Sequence, residues 1–203
     1  MQFVACDCVR HKVAFVSNQR ATPATSIAVP AGEPDEILQN ALEAQRQVAS
    51  LRVRHTDTRG SAKRTLLTEW TPDRTHTITL EQIPDTDPPP ETIEIGPKTY
   101  KKLRIGFWSW WQEMNYAGRK VEQPNIFKAV AKFKDFKNGM FLGVEELDGA
   151  QMLLYRATYP GYEVKIWLGA DGLPHHLQDE ISGWKVIETY YDYNSNIFIE
   201  APR

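Results

Sequence analysis

The sequence predicts an α+β protein, a curved antiparallel half-barrel sheet with helices packed on its concave side. Three observations predict it. A segment of helical period near the start gives way, beyond Leu51, to apolar residues at every second position. One further helical-period segment, residues 125–136, interrupts the strand patterns. Asp148-Gly149 and Asp171-Gly172 then punctuate the later strands as tight turns. Helices segregated from a run of strands belong to the α+β class.

Taken in order, residues 1–34 form a flexible N-terminal arm or tether, and residues 35–203 the folded domain. The stretch 9–34 is rich in Ala, Thr, Ser and Pro and has no sustained period, so it cannot bury enough apolar surface to offset ordering entropy. Cys6 and Cys8 are the only cysteines of the 203 residues, which excludes CxxC metal sites and a disulfide framework. Two readings of them stay open. They are free thiols of a tail, or Phe3-Val4-Ala5-Cys6 is a degenerate lipobox with Cys6 as a lipid anchor, which requires an upstream basic and apolar leader.

The first helix spans 35–50. Pro34 and Asp35 give the start signal, and Ile37, Leu38, Ala41, Leu42, Gln45 and Val48 follow at helical spacing. Strands are expected in "LRVRHTDT", "RTLLTEWT" and "HTITLEQI", the last with Ile78 and Leu80 on one face and Thr77 and Thr79 on the other. After "DTDPPPE", the stretch "ETIEIGPKTYKKLR" reads as a hairpin, with Ile93 and Ile95 inward and Gly96-Pro97 turning. "IGFWSWW" follows. As a strand it sends Trp108 and Trp110 to one face and Phe107 and Trp111 to the other, so one core cannot receive both sets. The second helix, "PNIFKAVAKFKDF", carries Ile126, Phe127, Val130 and Phe133 on one side and Lys128, Lys132, Lys134 and Lys137 on the other. Further strands lie in "MFLGVEEL", "AQMLLYRAT", "YEVKIWLG" and "WKVIETYYDY".

A formal net charge of -2 gives no electrostatic reason to expect nucleic-acid binding. No segment approaches the roughly 20 apolar residues of a membrane-spanning helix. The sequence has no Gly-rich phosphate loop, no GxSxG elbow and no HExxH. His175 and His176, adjacent on a strand, face opposite sides and cannot readily share a metal. An enzyme is therefore not expected, and neither is a cofactor or metal. Aromatics on both faces of one strand suit a sheet that encloses a ligand; a well-packed core without ligand suits the same pattern.

Several segments, taken in order, resemble the periplasmic lipoprotein-carrier superfamily, whose LolA-like fold includes lipid-binding cell-envelope lipoproteins. In "ETIEIGPKTYKKLRIGFW", Glu91, Ile93, Gly96, Tyr100, Gly106 and Trp108 match that family's hairpin. "LGVEELDGAQMLLYRAT" is similar to its next hairpin, "VKIWLGADGLPHHLQ" to its strand-turn-strand, and "YYDYNSNIFIEAP" to its closing strand. The likeness covers about residues 35 to 203. It implies a half-open barrel plugged by helices, with lipid acyl chains bound on the concave side. The expected function is an extracytoplasmic lipid or lipoprotein carrier of the periplasm or cell envelope, with acyl chains and a membrane surface as partners. An envelope-stress sensor or protein-interaction module on the same fold is the alternative. The residues assigned to acyl-chain contact are Leu38 and Leu42 on the first helix, then Ile78, Leu80, Ile93 and Ile95 on strands. Trp108, Trp110 and Ile166 join them, with Ile126, Phe127 and Val130 from the second helix.

Overall fold

The computed structural model describes residues 27–81, 91–105, 107–116, 121, 137–159 and 162–203. Its one described helix, α1 (Pro34–Arg46), begins with Pro at the first turn, where the missing N–H costs nothing, and places Asp35 and Glu36 against the helix dipole. It ends one turn earlier than its apolar period suggests. Beyond Gln47 the chain is captured by the C-terminal region instead: the Ala49 N–H donates to Asn194 Oδ1 (2.7 Å), and the Ser50 hydroxyl to the Ser195 carbonyl (2.6 Å). The second expected helix, with Ile126, Phe127, Val130 and its lysines up to Lys134, lies outside the described residues, as does Cys6.

Among the described residues eleven strands follow: β1 (Leu51–Arg59), β2 (Ala62–Thr71), β3 (Arg74–Glu81), β4 (Glu91–Ile95), β5 (Lys98–Ile105), β6 (Trp108–Asn115), β7 (Lys137–Leu147), β8 (Ala150–Tyr159), β9 (Tyr162–Leu168), β10 (Pro174–Ile181) and β11 (Trp184–Tyr191). They form one open sheet in the order β6-β5-β4-β3-β2-β1-β11-β10-β9-β8-β7. Every pairing is antiparallel. Two meanders, β1–β6 and β7–β11, are thus zipped together where β1 meets β11. The antiparallel sheet of the predicted class is present. The plural helices of that prediction reduce, among the described residues, to α1.

Directly opposed residues of antiparallel strands share a face. Phe141, Tyr155, Ile166, Leu177, Glu188, His55, Leu66 and Thr79 therefore make one row across the sheet. This is the face α1 covers. Leu38, Ala41 and Leu42 bury themselves among Leu51, Val53, Leu153, Tyr155, Ile166 and Leu177. Burying each leucine contributes roughly 1.5–3 kcal/mol. Gly139 allows the close approach at the helix start: a Cβ there would lie 3.0 Å from the Asp35 nitrogen and 3.2 Å from the Pro34 carbonyl carbon. Its N–H donates to Asp35 Oδ1 at 2.6 Å, pinning α1 to β7.

The outer face carries a second, smaller core. Ile93 packs with Ile197 and Ile199, flanked by Ile95, Tyr100 and Trp111. The C-terminal segment that builds it, expected as a closing strand, is not one. β11 ends at Tyr191, and the chain turns through positive-φ Asp192 and Asn194. It then runs to the outer face, where Arg74 Nη1 donates to the Ile199 carbonyl (2.7 Å). Ile93 and Ile95 are thus covered, but on the face away from α1.

Candidate functional site

A cavity of about 320 Å3 opens beside α1. Leu153 and Leu168, paired across β8 and β9, line its sheet side; Ile37, Asn40, Ala41 and Ala44 of α1 line another. The segment Ile27–Ala31 contributes Ile27, Ala28, Pro30 and Ala31, and the β9–β10 turn contributes Gly169, Ala170, Asp171 and Gly172. The Ile27 N–H holds that segment to Gln151 Oε1 at 3.3 Å. A volume of this size lies at the lower end of the range of roughly 300–1,000 Å3 for small-molecule sites. Small residues on the helix side leave part of this space: Ala41 and Ala44 cannot fill the gap that leucines would.

Polar groups fix the turn beside it. Asp171 accepts from the Leu173 N–H (3.0 Å) and pairs with His175 Nε2 at 3.0 Å. Burial opposes its charge, but these bonds outweigh burial and hold its carboxyl below the usual range. The His175 ring meets Tyr193 edge-on at 5.5 Å, and Gln45 Nε2 of α1 donates to the Tyr193 hydroxyl at 3.1 Å. Tyr193 in turn donates to the Pro174 carbonyl, and its burial pushes the hydroxyl pKa far upward. The turn is therefore tied to α1. His176 lies on the other face, as strand alternation requires, edge-on to Trp167 at 4.9 Å.

Where the helix face crosses from β11 to β1 it becomes charged. His55 bridges Glu188 (Nδ1 to Oε1, 2.8 Å) and Asp57 (Nε2 to Oδ1, 2.7 Å), while Arg64 pairs with Asp57. Burial lowers the affinity of His55 for its proton, but the two carboxylates raise it further, so the pKa stands above the ordinary imidazole value of 6.5. A histidine whose folded pKa is raised adds stability that is complete below the unfolded value and is lost as pH rises through the folded one. The wild-type advantage in Tm over His55→Gln should accordingly be largest below pH ~6.5, at about 2–4 °C for each kcal/mol in a domain of this size, and shrink on the alkaline side. A difference independent of pH, measured by thermal denaturation, would remove His55 as the titrating group. Both ring nitrogens are engaged, and among the described residues no group of three or more His, Cys, Asp or Glu is arranged to hold a metal.

None of the described residues assigned to acyl-chain contact lines the cavity. Leu38, Leu42 and Ile166 form the core beneath α1, and Trp108 and Trp110 lie on that same face at the far edge of the sheet. The register Leu51–Trp70–Thr75–Glu94–Thr99–Met114 carries the helix face to β6, and it puts Ile78, Leu80, Ile93 and Ile95 on the outer face. On β3 and β4 the helix face bears Thr75, Thr77, Thr79 and Thr92 instead. On that face the buried apolar residues thus lie on β8–β11, β1 and Trp70 of β2, apart from the exposed Trp108 and Trp110 at the far edge. The outer face is crossed by a charge ladder, Arg52–Glu69 at 2.8 Å, Glu69–His76 at 3.3 Å, His76–Glu91 at 2.8 Å and Glu91–Lys102 at 2.8 Å. Lys102 also lies 5.6 Å from the Trp111 ring centroid.

No family model matches the sequence, and no curated protein matches it. Solved structures do. The lipoprotein LppX of Mycobacterium tuberculosis superposes with a TM-score of 0.58 at 13% identity, covering 82% of this chain and 98% of LppX. The fold is LolA-like. LprF of Mycobacterium bovis shares it with a TM-score of 0.58 at 11% identity, covering 86% of this chain and 99% of LprF. In this LolA-like sheet the cavity lies between helix and sheet, where the sequence resemblance implies the binding side. Among the described residues no helix is long and apolar enough to cross a membrane.

Proposed function

We propose that this chain is a non-enzymatic, extracytoplasmic lipid- or lipoprotein-binding protein that holds an acyl chain between α1 and the β8–β9 part of its sheet. One observation carries the reading: the cavity of about 320 Å3 whose sheet side is Leu153 and Leu168 and whose helix side is Ile37, Ala41 and Ala44. The LolA-like fold supports the same side of the sheet. Each methylene taken from water contributes about 0.8 kcal/mol, so even part of an acyl chain placed there is retained. The charged cluster at His55 limits how far a chain extends toward β1, since apolar groups gain nothing beside paired charges.

Ala44 is exposed on α1 and borders the cavity, so a large side chain there narrows the space without entering the core. Displacement of a fluorescent fatty acid from delipidated protein tests the reading. Wild type should bind the probe, and Ala44→Trp should weaken binding about tenfold, a loss of roughly 1.4 kcal/mol. Equal affinity in the two proteins would place the lipid elsewhere, and no probe binding in either would favour the protein-interaction alternative.

A further inference from the structure

The strands β5 and β6 stay paired up to Ile105 opposite Trp108, and Phe107 lies just beyond this last pair of the sheet's edge hairpin. Phe107 is fully exposed at 102%, Trp108 is exposed at 80% and Trp110 at 43%. Among the described residues, Trp111 alone of this aromatic stretch joins a core cluster. The same hairpin is basic. From Lys98 to Gln112 the chain carries Lys98, Lys101, Lys102 and Arg104 and no carboxylate. Lys98 is paired with Glu113 (2.9 Å) and Lys102 with Glu91 (2.8 Å). Toward the tip, Lys101 lies on the same face as Trp108 and Trp110, and Arg104 is exposed.

We propose that the tip of the β5–β6 hairpin is a membrane-docking element, which places Phe107, Trp108 and Trp110 among the headgroups of an anionic lipid surface. Indole rings settle at that depth because they offer an apolar body and one polar N–H. The cations beside them add electrostatic attraction, about fivefold in partitioning for each Lys or Arg near the surface. A protein partner fits less well. A stable protein interface buries about 800 Å2 on each side, and a hairpin tip of three aromatic side chains does not present that area. Docking goes beyond the proposed cargo and does not depend on it, because the tip and the cavity are built from different strands.

Flotation of the full chain with vesicles tests this, using Cys6→Ser and Cys8→Ser to remove any lipid attachment. Wild type should float with vesicles of phosphatidylcholine containing one third phosphatidylglycerol, and several-fold less with phosphatidylcholine alone. The pair Phe107→Ser and Trp108→Ser should reduce flotation at least tenfold. Lys101→Gln should weaken the preference for the anionic vesicles. These side chains lie outside the core clusters, so an unchanged Tm confirms that the variants are folded. Quenching of tryptophan emission by lipids brominated near the headgroup should occur in wild type and fall in Trp108→Phe. Flotation of the Phe107/Trp108 variant equal to wild type, or no flotation of wild type on anionic vesicles, would overturn the proposal. Ala44→Trp should float normally, which separates failure of docking from failure of the cargo reading.

Discussion

Replacing Leu38 by alanine is expected to lower Tm by roughly 5–15 °C, the largest loss of any single truncation on α1. Leu38 is among the most buried side chains and sits in the cluster that joins α1 to β1 and β8–β10. A buried Leu→Ala change costs about 2–5 kcal/mol, because the cavity it leaves collapses only in part. A helix of 13 residues is marginal in water and holds its shape through this docked face. The same variant should therefore lose fatty-acid binding, since α1 forms one side of the cavity. A Tm change below about 2 °C, by calorimetry or circular dichroism, would show that α1 does not depend on this contact.

The second large effect is a contrast between two isoleucines. Ile166→Lys is expected to prevent folding, and Ile78→Lys to leave a folded protein that binds the fatty-acid probe within about twofold of wild type. Ile166 is 1% exposed, between Tyr155 and Leu177 in the row beneath α1. An unpaired ammonium there costs several kcal/mol, comparable to a total stability of roughly 5–15 kcal/mol. Ile78 is half-buried on the outer face, directly opposite Glu91 on β4, so a lysine there meets a carboxylate and partial solvent. Soluble expression, near-ultraviolet circular dichroism and probe binding check both. A folded Ile166→Lys, or loss of probe binding in a folded Ile78→Lys, would reverse the assignment of faces.

That contrast marks how far the sequence can be read. Alternation assigned Ile78 and Ile166 each to an apolar face, and it separated Trp108 and Trp110 from Trp111, as the register bears out. The stripe of α1 and the turns at Gly96 and Gly149 were also legible, because each is a local signal. Alternation defines two faces but does not say which one a helix covers. On β3 the threonines lie toward α1, and Ile78 points outward. The deciding contacts come from far along the chain. Ile197 and Ile199 supply an outer core for Ile93, and no pattern within β4 announces them. The alternation of the tail is real, with Phe198 exposed between two buried isoleucines, yet its backbone does not join a ladder. The cavity was hidden for a related reason. It is lined from 27–31, α1, β8, β9 and the β9–β10 turn, with alanines and glycines among the lining residues, and a gap beside alanine and glycine has no periodicity.

The central claim, that the space beside α1 is a lipid site, is tested most directly by native mass spectrometry. Delipidated full chain would be incubated with a bacterial membrane-lipid extract, separated from free lipid and weighed intact. The expected spectrum shows a discrete added mass that fragments to an acyl lipid and is reduced in Ala44→Trp. A spectrum of bare protein in every mixture, from a sample whose melting transition shows it folded, would contradict the claim.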